Sequence, residues 1–322
     1  MGQAFEKASK RQFFIQLYLN AKLTRQEACE KMEISERQLS RLIKKWKNVG
    51  PKFILHGNKG KIPTNKISKA LAAKLVNIYC NNFRGFNITH FREELITQKL
   101  FDNIPSEPTL RRILRQEQVI PAQTQHRKKV RRLRPRSNKK GLMVQIDGSH
   151  HAWFSLRLCC LTLAIDDATS EILAAKFTPT ETTFAAMDVI EMIFYKYGMF
   201  ECLYSDKAGI YSNSKRVGYT NLERALESLG ILMLLANTPQ GKGRVERVFR
   251  TLQSRLVNEM RQQKVSSLEE ANEFLKDYIP KHNNRFSVPP INPEAGFKPL
   301  PINFEADNYF YFLEIRIVAI GE

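Results

Sequence analysis

Residues 142–154, LMVQIDGSHHAWF, begin with an apolar run of the kind that forms a buried β-strand. Two more strand-like runs follow, CCLTLAIDDATS at 159–170 and EILAAKFTPT at 171–180. A turn is expected at 168–170, where small and polar residues separate the second run from the third. Three strands joined by short connections predict hairpin pairing within one sheet.

Helices and strands alternate after these three strands. The segments are ETTFAAMDVIEMIFYKYG (181–198, helix), CLYSD (202–206, strand), YTNLERALESLG (219–230, helix), ILMLLANT (231–238, strand) and GKGRVERVFRTLQSRL (241–256, the start of a helix). The order β-β-β-α-β-α-β-α implies a mixed sheet covered by helices. The RNase H-like fold has this order, and we expect such an α/β core over residues 141–290.

The charge of the chain is concentrated in its first half. Residues 1–140 hold 32 Lys and Arg against 10 Asp and Glu, whereas residues 141–322 hold 19 against 22. A net charge of +22 on one half predicts a polyanionic partner, and nucleic acid fits best because phosphate neutralisation supplies most non-specific affinity. Double-stranded DNA is the form expected from the helix-turn-helix segments described below. An anionic membrane surface is the alternative, but no strongly basic amphipathic helix with an aromatic face stands out.

Chain length and hydropathy limit the class of protein further. A chain of 322 residues predicts two or three domains. No apolar run approaches the roughly 20 residues of a membrane span, and the first residues lack the apolar stretch of a signal peptide. We therefore expect a cytoplasmic protein with no membrane partner.

A helix-turn-helix is predicted in the first domain, residues 1–55. Thr24 is placed to cap one short helix, and Ser35 with Gln38 fits a capping box for the next. The apolar face of the second helix consists of Leu39, Leu42, Ile43 and Trp46. The residues outside that face are candidate DNA contacts: Arg37, Gln38, Arg41, Lys44 and Lys45. An ordinary helical hairpin is the alternative.

A linker at 56–67 precedes a second helical group, residues 68–122, with helices expected at 68–82, 88–98 and 107–118. The last of these helices makes a second helix-turn-helix plausible, and its candidate DNA contacts are Arg111, Arg112 and Arg115. A basic linker, 123–140, follows, with nine Lys or Arg in the fifteen residues 126–140. Its candidate contacts are Arg127, Lys128, Lys129, Arg131 and Arg132. A solvated linker that binds nothing is the alternative.

Three carboxylates are candidate catalytic and metal-binding residues. Asp147 follows the apolar run LMVQI, Asp206 follows CLYS, and Glu246 lies near the start of the last helix. Carboxylates that converge beside strand ends repel one another unless they hold cations, and oxygen ligands suit Mg²⁺ or Mn²⁺. Two such ions clamp the attacking and leaving oxygens of a phosphodiester displacement. The cations around Glu246 are candidate contacts to the DNA backbone: Lys242, Arg244 and Arg250.

Two other motifs invite a site assignment. Asp166 and Asp167 also end a strand, and we expect them to shape its turn with Thr169, although Asp166 near the metals is an open alternative. His150 and His151 suggest zinc, but no Cys or His partner has zinc-finger spacing. Contact with DNA beside the active site, packing and surface exposure remain open for His150.

The motifs VQIDGSHHAWF, IDDATS, YSDKAGIY and TPQGKGRVERVFRTLQSRL resemble the catalytic core of DDE transposases. The match is closest to ISNCY-family insertion-sequence transposases, relatives of the retroviral integrases, and extends over about residues 20 to 290. The resemblance implies that Asp147, Asp206 and Glu246 form the catalytic triad. It also implies an oligomer on paired element ends that cleaves DNA and joins 3′-hydroxyls to target DNA, acting on the nucleoid in the bacterial cytoplasm.

The last segment, 291–322, departs from that family. Its tail INFEADNYFYFLEIRIVAIGE is apolar and strand-like, whereas the similar family continues into a small β domain. We therefore expect a truncated C-terminal segment. A DNA-binding remnant without chemistry is one alternative to a working transposase. A nuclease on RNA–DNA hybrids is another, which the helix-turn-helix segments disfavour because they fit B-form duplex.

The charge distribution makes DNA affinity sensitive to salt. We expect the logarithm of the association constant to fall linearly with the logarithm of salt concentration, by about 0.9 for each phosphate contacted. Fluorescence anisotropy of a labelled duplex between about 50 and 200 mM salt measures this slope. A slope near zero would contradict the assignment of the basic half to DNA.

Overall fold

The computed structural model describes residues 2–50, 66–119, 134–154, 158–206, 220–236 and 242–313, with side chains from residue 9 onward. The fold divides into two compact units, residues 1–71 and residues 72–322. Most of the predicted linker at 56–67 and most of the basic linker therefore lie outside the described residues. None of the described helices is both long enough and apolar enough to cross a bilayer.

The first unit contains the predicted helix-turn-helix. Its helices are α1 (Gly2–Leu19), α2 (Arg25–Met32) and α3 (Glu36–Val49). The Ser35 hydroxyl accepts a hydrogen bond from the Gln38 amide at 3.3 Å, and the Gln38 side chain accepts one from the Ser35 amide at 3.1 Å. This reciprocal capping fixes the start of α3. Ile15, Ala28 and Leu39 are fully buried, so each helix contributes to one small core.

Three helices of the second unit match the predicted second helical group to within two residues. They are α4 (Lys69–Asn82), α5 (Ile88–Thr97) and α6 (Glu107–Gln116). Aromatic residues hold them together, since the Phe83 ring meets those of Phe86 and Phe91 at 5.3 and 5.4 Å between centroids. The Tyr79 hydroxyl donates a 2.8 Å hydrogen bond to the Phe86 carbonyl, which satisfies its one polar atom inside this core.

A five-stranded mixed sheet forms the centre of the second unit. Its strands are β1 (Met143–His151), β2 (Cys159–Asp166), β3 (Ile172–Thr178), β4 (Cys202–Ser205) and β5 (Leu232–Leu235). The strand order is β3-β2-β1-β4-β5. The pairs β1–β2 and β2–β3 are antiparallel, whereas β4 is parallel to β1 and β5 is parallel to β4. This is the RNase H-like arrangement that the sequence predicts.

Four helices cover the two faces of the sheet. They are α7 (Thr183–Tyr197), α8 (Asn221–Ser228), α9 (Gly243–Gln262) and α10 (Leu268–Phe286). Alternation along β2 separates the two cores, because Leu163 and Ile165 pack with α9 and α10, whereas Ala164 packs with α7. The sequence pattern does not predict α10. This helix contains Pro280, a residue that normally argues against a helix interior.

The second helical group is bonded to α9 rather than standing apart from the core. The Arg255 guanidinium, 9% exposed, donates to the Glu93 carboxylate at 2.7 Å, and Arg285 on α10 pairs with the same carboxylate. Asn258 donates a 3.2 Å hydrogen bond to the Gly85 carbonyl. The predicted boundary between 68–122 and 141–290 therefore does not coincide with a division of the fold into compact units.

The tail does not form the expected strand in its described part. Residues 302–313 contain only a short 3₁₀ turn, Ala306–Asn308, and residues 314–322 lie outside the described range. Phe304 and Phe310 instead pack against Phe194 of α7, with ring centroids 6.0 and 5.9 Å away. The strand prediction was wrong for 302–313 because these aromatic residues cover a helix and do not pair with another strand.

Two glycines at helix ends differ in their surroundings. Gly198 after α7 has a φ of +93°, and a Cβ there would lie 2.4 Å from the Lys298 carbonyl oxygen. Gly230 after α8 has a φ of +70° and open space around it.

We expect Gly230→Ala to cost about 1–2 kcal/mol of unfolding free energy, since only backbone strain is introduced. Gly198→Ala should cost more, because strain and a backbone clash combine. Urea denaturation of both variants measures the difference, and equal midpoints would contradict this account.

Candidate active site

Asp147 and Asp206 meet across the parallel pair β1–β4. Gln145 of β1 is in register with Tyr204 of β4, and the same register carried two residues further sets Asp147 opposite Asp206. Asp206 follows the end of its strand, as predicted. Asp147 does not, because β1 continues to His151 in antiparallel pairing with β2. The neighbouring strand β4 is the one that ends here.

A lysine ammonium bridges these two carboxylates. The Lys242 Nζ lies 2.7 Å from Asp147 Oδ1 and 2.9 Å from Asp206 Oδ2. The Lys242 side chain is 8% exposed, and it enters from the residue immediately before α9. The sequence assigns Lys242 to DNA, but its ammonium lies between two acidic side chains in this structure. Its contact with DNA remains a prediction.

Burial and charge oppose each other at this pair. Burial raises the pKa of the Asp147 carboxyl, and Asp206 and Glu181 add to the rise, while Lys242 works against it; the pKa ends above its usual value. Burial alone would lower the pKa of Lys242, but the two aspartates outweigh it and raise that pKa. The lysine is therefore held in its charged form between the aspartates.

Glu181 is a neighbour of this site that the sequence analysis missed. It lies between β3 and α7, and its carboxylate is placed so that a Cβ on Gly148 would come within 2.5 Å of it. Glycine after Asp147 thus makes the room that Glu181 occupies. The glycine is the sequence signal for this close approach, but the sequence does not show which residue fills the space.

Glu246 lies in the first turn of α9 and is exposed to solvent. Its neighbours Val245 and Val248 are buried under the helix, so Glu246 projects away from the core. Over the described residues, Asp147, Asp206 and Glu246 do not form a group whose ligand atoms all lie within 4.8 Å of one another. The structure therefore brings together two of the three predicted catalytic carboxylates, with a cation between them.

Asp166 and Asp167 connect the end of β2 to other segments near the candidate site. Asp166 shapes the turn as predicted, since its carboxylate accepts hydrogen bonds from the Thr169 amide and hydroxyl at 2.8 and 2.9 Å. Asp167 is fully buried and accepts from Arg244 Nη1 at 2.8 Å and from Gln145 Nε2 at 2.5 Å. Arg244, predicted to contact DNA, thus ties the start of α9 to the end of β2.

The other predicted DNA contacts are spread over three surfaces. Those on α3 are exposed, and four of them line a groove of about 500 Å³: Gln38, Arg41, Lys44 and Lys45. On α6, Arg112 and Arg115 are exposed and Arg111 is half-buried. Arg250 is exposed on α9, and the basic residues from Arg127 to Arg132 lie outside the described residues.

Comparison with known proteins assigns the family. Residues 10–61 match a helix-turn-helix domain family. The transposase for insertion sequence IS1202 of Streptococcus pneumoniae is 31% identical over 319 residues, which cover 86% of this chain and 68% of that protein. The chain belongs to the insertion-sequence transposases. The putative transposase y4bF of Sinorhizobium fredii (strain NBRC 101917 / NGR234) is 30% identical, over 88% of this chain and 63% of its own length.

Solved structures that resemble this transposase are distant in sequence. One is the simian T-cell lymphotropic virus intasome in complex with the PP2A regulatory subunit B56 gamma, with 14% identity, a TM-score of 0.40 and 78% of each chain covered. Another is the HTLV-2 integrase catalytic core domain in complex with magnesium, with 14% identity and a TM-score of 0.34, covering 42% of this chain and 83% of that one. The family assignment rests on the two sequence relatives.

The buried carboxylate of Asp167 stabilises the transposase fold through its cationic partners. We expect Asp167→Ala to lower the free energy of unfolding by about 3–5 kcal/mol, because it leaves Arg244 and Arg134 without their common acceptor. The matched change Asp277→Ala, at an exposed position of α10, should alter it by less than about 0.5 kcal/mol. Chemical denaturation followed by circular dichroism measures both, and a similar effect at the two positions would refute the structural role of Asp167.

Proposed function

We propose that this transposase cleaves phosphodiester bonds at the ends of its insertion sequence and joins the 3′-hydroxyl ends to target DNA. The observation that carries the proposal is the convergence of Asp147 and Asp206 on one cation, the Lys242 ammonium. Two carboxylates from adjacent strands, each within 2.9 Å of a single positive charge, are already arranged as ligands. The family membership supplies the substrate class.

The chemistry of the donor set fits Mg²⁺ or Mn²⁺. Asp147, Asp206 and Glu246 offer carboxylate oxygens, which these hard cations prefer. Two bound ions would supply activation of the attacking hydroxyl and stabilisation of the leaving oxygen. Asp147 and Asp206 hold the shared charge at the sheet, and Glu246, which is exposed in the first turn of α9, would complete the set on moving to the metal.

Lys242 has two roles in this proposal. Its ammonium neutralises the two aspartates when no metal is present, because like charges at this separation repel each other. When metal binds, the Lys242 ammonium must leave the two aspartates. The backbone phosphate of the DNA is an anionic group that can accept its hydrogen bonds instead. The two aspartates raise the pKa of Lys242, so in this proposal it acts as a positive charge.

The DNA is held by the basic surfaces outside this site. The exposed cations of α3 in its groove fit a recognition helix in the major groove, and those of α6 fit a second contact with the duplex. Arg250 lies one turn beyond Glu246 on the same helix, where it meets the phosphates next to the bond that is cut. Action on paired ends requires a homo-oligomer, which we place on the nucleoid in the bacterial cytoplasm.

Loss of one aspartate should separate cleavage from DNA binding. We expect Asp206→Asn to reduce Mg²⁺-dependent nicking of a labelled element-end duplex by more than about 100-fold, because it removes a metal-ligand charge. Binding of the same duplex in a gel-shift assay should be unchanged, and Asp277→Asn serves as the matched control. Nicking in EDTA, or full activity in Asp206→Asn, would refute the metal site. Binding without nicking in every variant would favour a DNA-binding protein without chemistry.

Lys242 should compete with the metal for the aspartates. We expect Lys242→Met to tighten Mn²⁺ binding by roughly tenfold, about 1.4 kcal/mol, since the bound metal no longer has to displace an ammonium. Isothermal titration calorimetry in the absence of DNA measures this without any turnover. Lys176→Met is the matched control, because Lys176 pairs with Asp188 away from the site at 2.5 Å. Unchanged or weaker Mn²⁺ binding in Lys242→Met would refute the competition.

A further inference from the structure

Three ligand-bearing side chains meet beside the active site on β1 and β2. The His150 imidazole, the Cys160 thiol and the Glu181 carboxylate each offer one atom, and these atoms lie within 4.8 Å of one another. His150 and Cys160 are direct cross-strand partners, so their side chains leave the same face of the sheet. Gly148, two residues before His150, leaves the space that brings Glu181 onto that face.

The donor atoms differ from those of the aspartate pair. An imidazole nitrogen, a thiolate sulfur and a carboxylate oxygen form the mixed ligand set of Zn²⁺, which takes three protein ligands and leaves a position open. Mg²⁺ and Mn²⁺ prefer oxygen ligands only. The cluster therefore selects a different metal from the one proposed for Asp147 and Asp206.

A fourth polar group lies next to this cluster. Thr162 is in register with Gly148 on β2 and follows Cys160 by two residues, so it shares the same face. Its side chain is fully buried, and its hydroxyl lies beside the Cys160 thiol, whose pKa it works to lower. A hydroxyl in this place can donate a hydrogen bond to the thiolate, which favours the form of Cys160 that binds metal.

We propose that His150, Cys160 and Glu181 form a second metal site that binds Zn²⁺ through one nitrogen, one sulfur and one oxygen. Cys160 binds as the thiolate, so each ion that enters releases the thiol proton to solvent. His150 is exposed and provides the path of entry, whereas Cys160 is fully buried and protected from other reagents. The inference does not depend on the proposed function.

The electrostatics of these three side chains agree with this geometry. Burial raises the pKa of the Cys160 thiol to about 11, and the charge of Glu181 contributes to the rise. The thiol is therefore protonated at neutral pH until a divalent cation balances the charges of Glu181 and of the thiolate. Spacing along the chain gives no hint of the site, because the three ligands come from two strands and from the segment before α7.

Cobalt substitution tests the site without measuring activity. Protein prepared without a histidine tag is titrated with Co²⁺, and the thiolate-to-cobalt charge-transfer band in the near ultraviolet is followed. We expect the band to saturate at one equivalent and to disappear when Zn²⁺ is added. Asp206→Asn should keep the band, which separates this site from the aspartate pair.

Variants at the ligands decide the assignment. Cys160→Ser should abolish the band, whereas the matched Cys159→Ser should retain it, because Cys159 is also buried but points to the opposite face. His150→Ala, at an exposed position that the fold tolerates, should weaken Co²⁺ binding at least tenfold. Absence of the band in the unmodified protein, its persistence in Cys160→Ser, or unchanged affinity in His150→Ala would each overturn the proposal.

Discussion

The buried carboxylate of Asp167 is the constraint on which the active-site region depends. It has no access to solvent, and it collects Arg134, Gln145 and Arg244 from three separate segments. A buried carboxylate without partners would be too costly, so the three segments must come together around it. The end of the basic segment, the first half of β1 and the start of α9 are thereby fixed to one point. The first turn of α9, which carries Glu246, takes its position from this anchor.

The aspartate pair of Asp147 and Asp206 also needs a cationic partner. Asp147 lies in β1, and Asp206 directly follows the neighbouring parallel strand β4, so a cation must accompany the two charges. The cation here is the ammonium of Lys242, on the segment next to α9. Asp167 is satisfied by several donors at once. One ammonium thus serves both aspartates of the pair, whereas several side chains serve Asp167.

Local sequence patterns predicted the helices and strands well, but they could not predict which residues distant in the chain are in contact. The capping box at Ser35 and the apolar runs of the strands are signals within a few residues, and both were confirmed. Arg255, for example, is buried against Glu93, a partner 162 residues away that no local pattern indicates. Glu181 was missed for the same reason, since only the folded chain sets it over Gly148. The presence of α10 was hidden by Pro280, whose cost in a helix is offset by the packing of that helix on the sheet.

Because the second helical group is bonded to α9, this helix fixes the position of Glu246 relative to that group. Glu246 lies in the first turn of α9. Arg255, which donates a hydrogen bond to Glu93, follows nine residues later, about 13 Å along the helix axis. Each residue of α9 advances this span by about 1.5 Å and turns it by about 100°. The distance and the angle between Glu246 and the helices α4 to α6 therefore depend on the number of α9 residues between Glu246 and Arg255. A duplex bound by those helices would meet the carboxylates at a rotation about the double-helix axis that α9 sets.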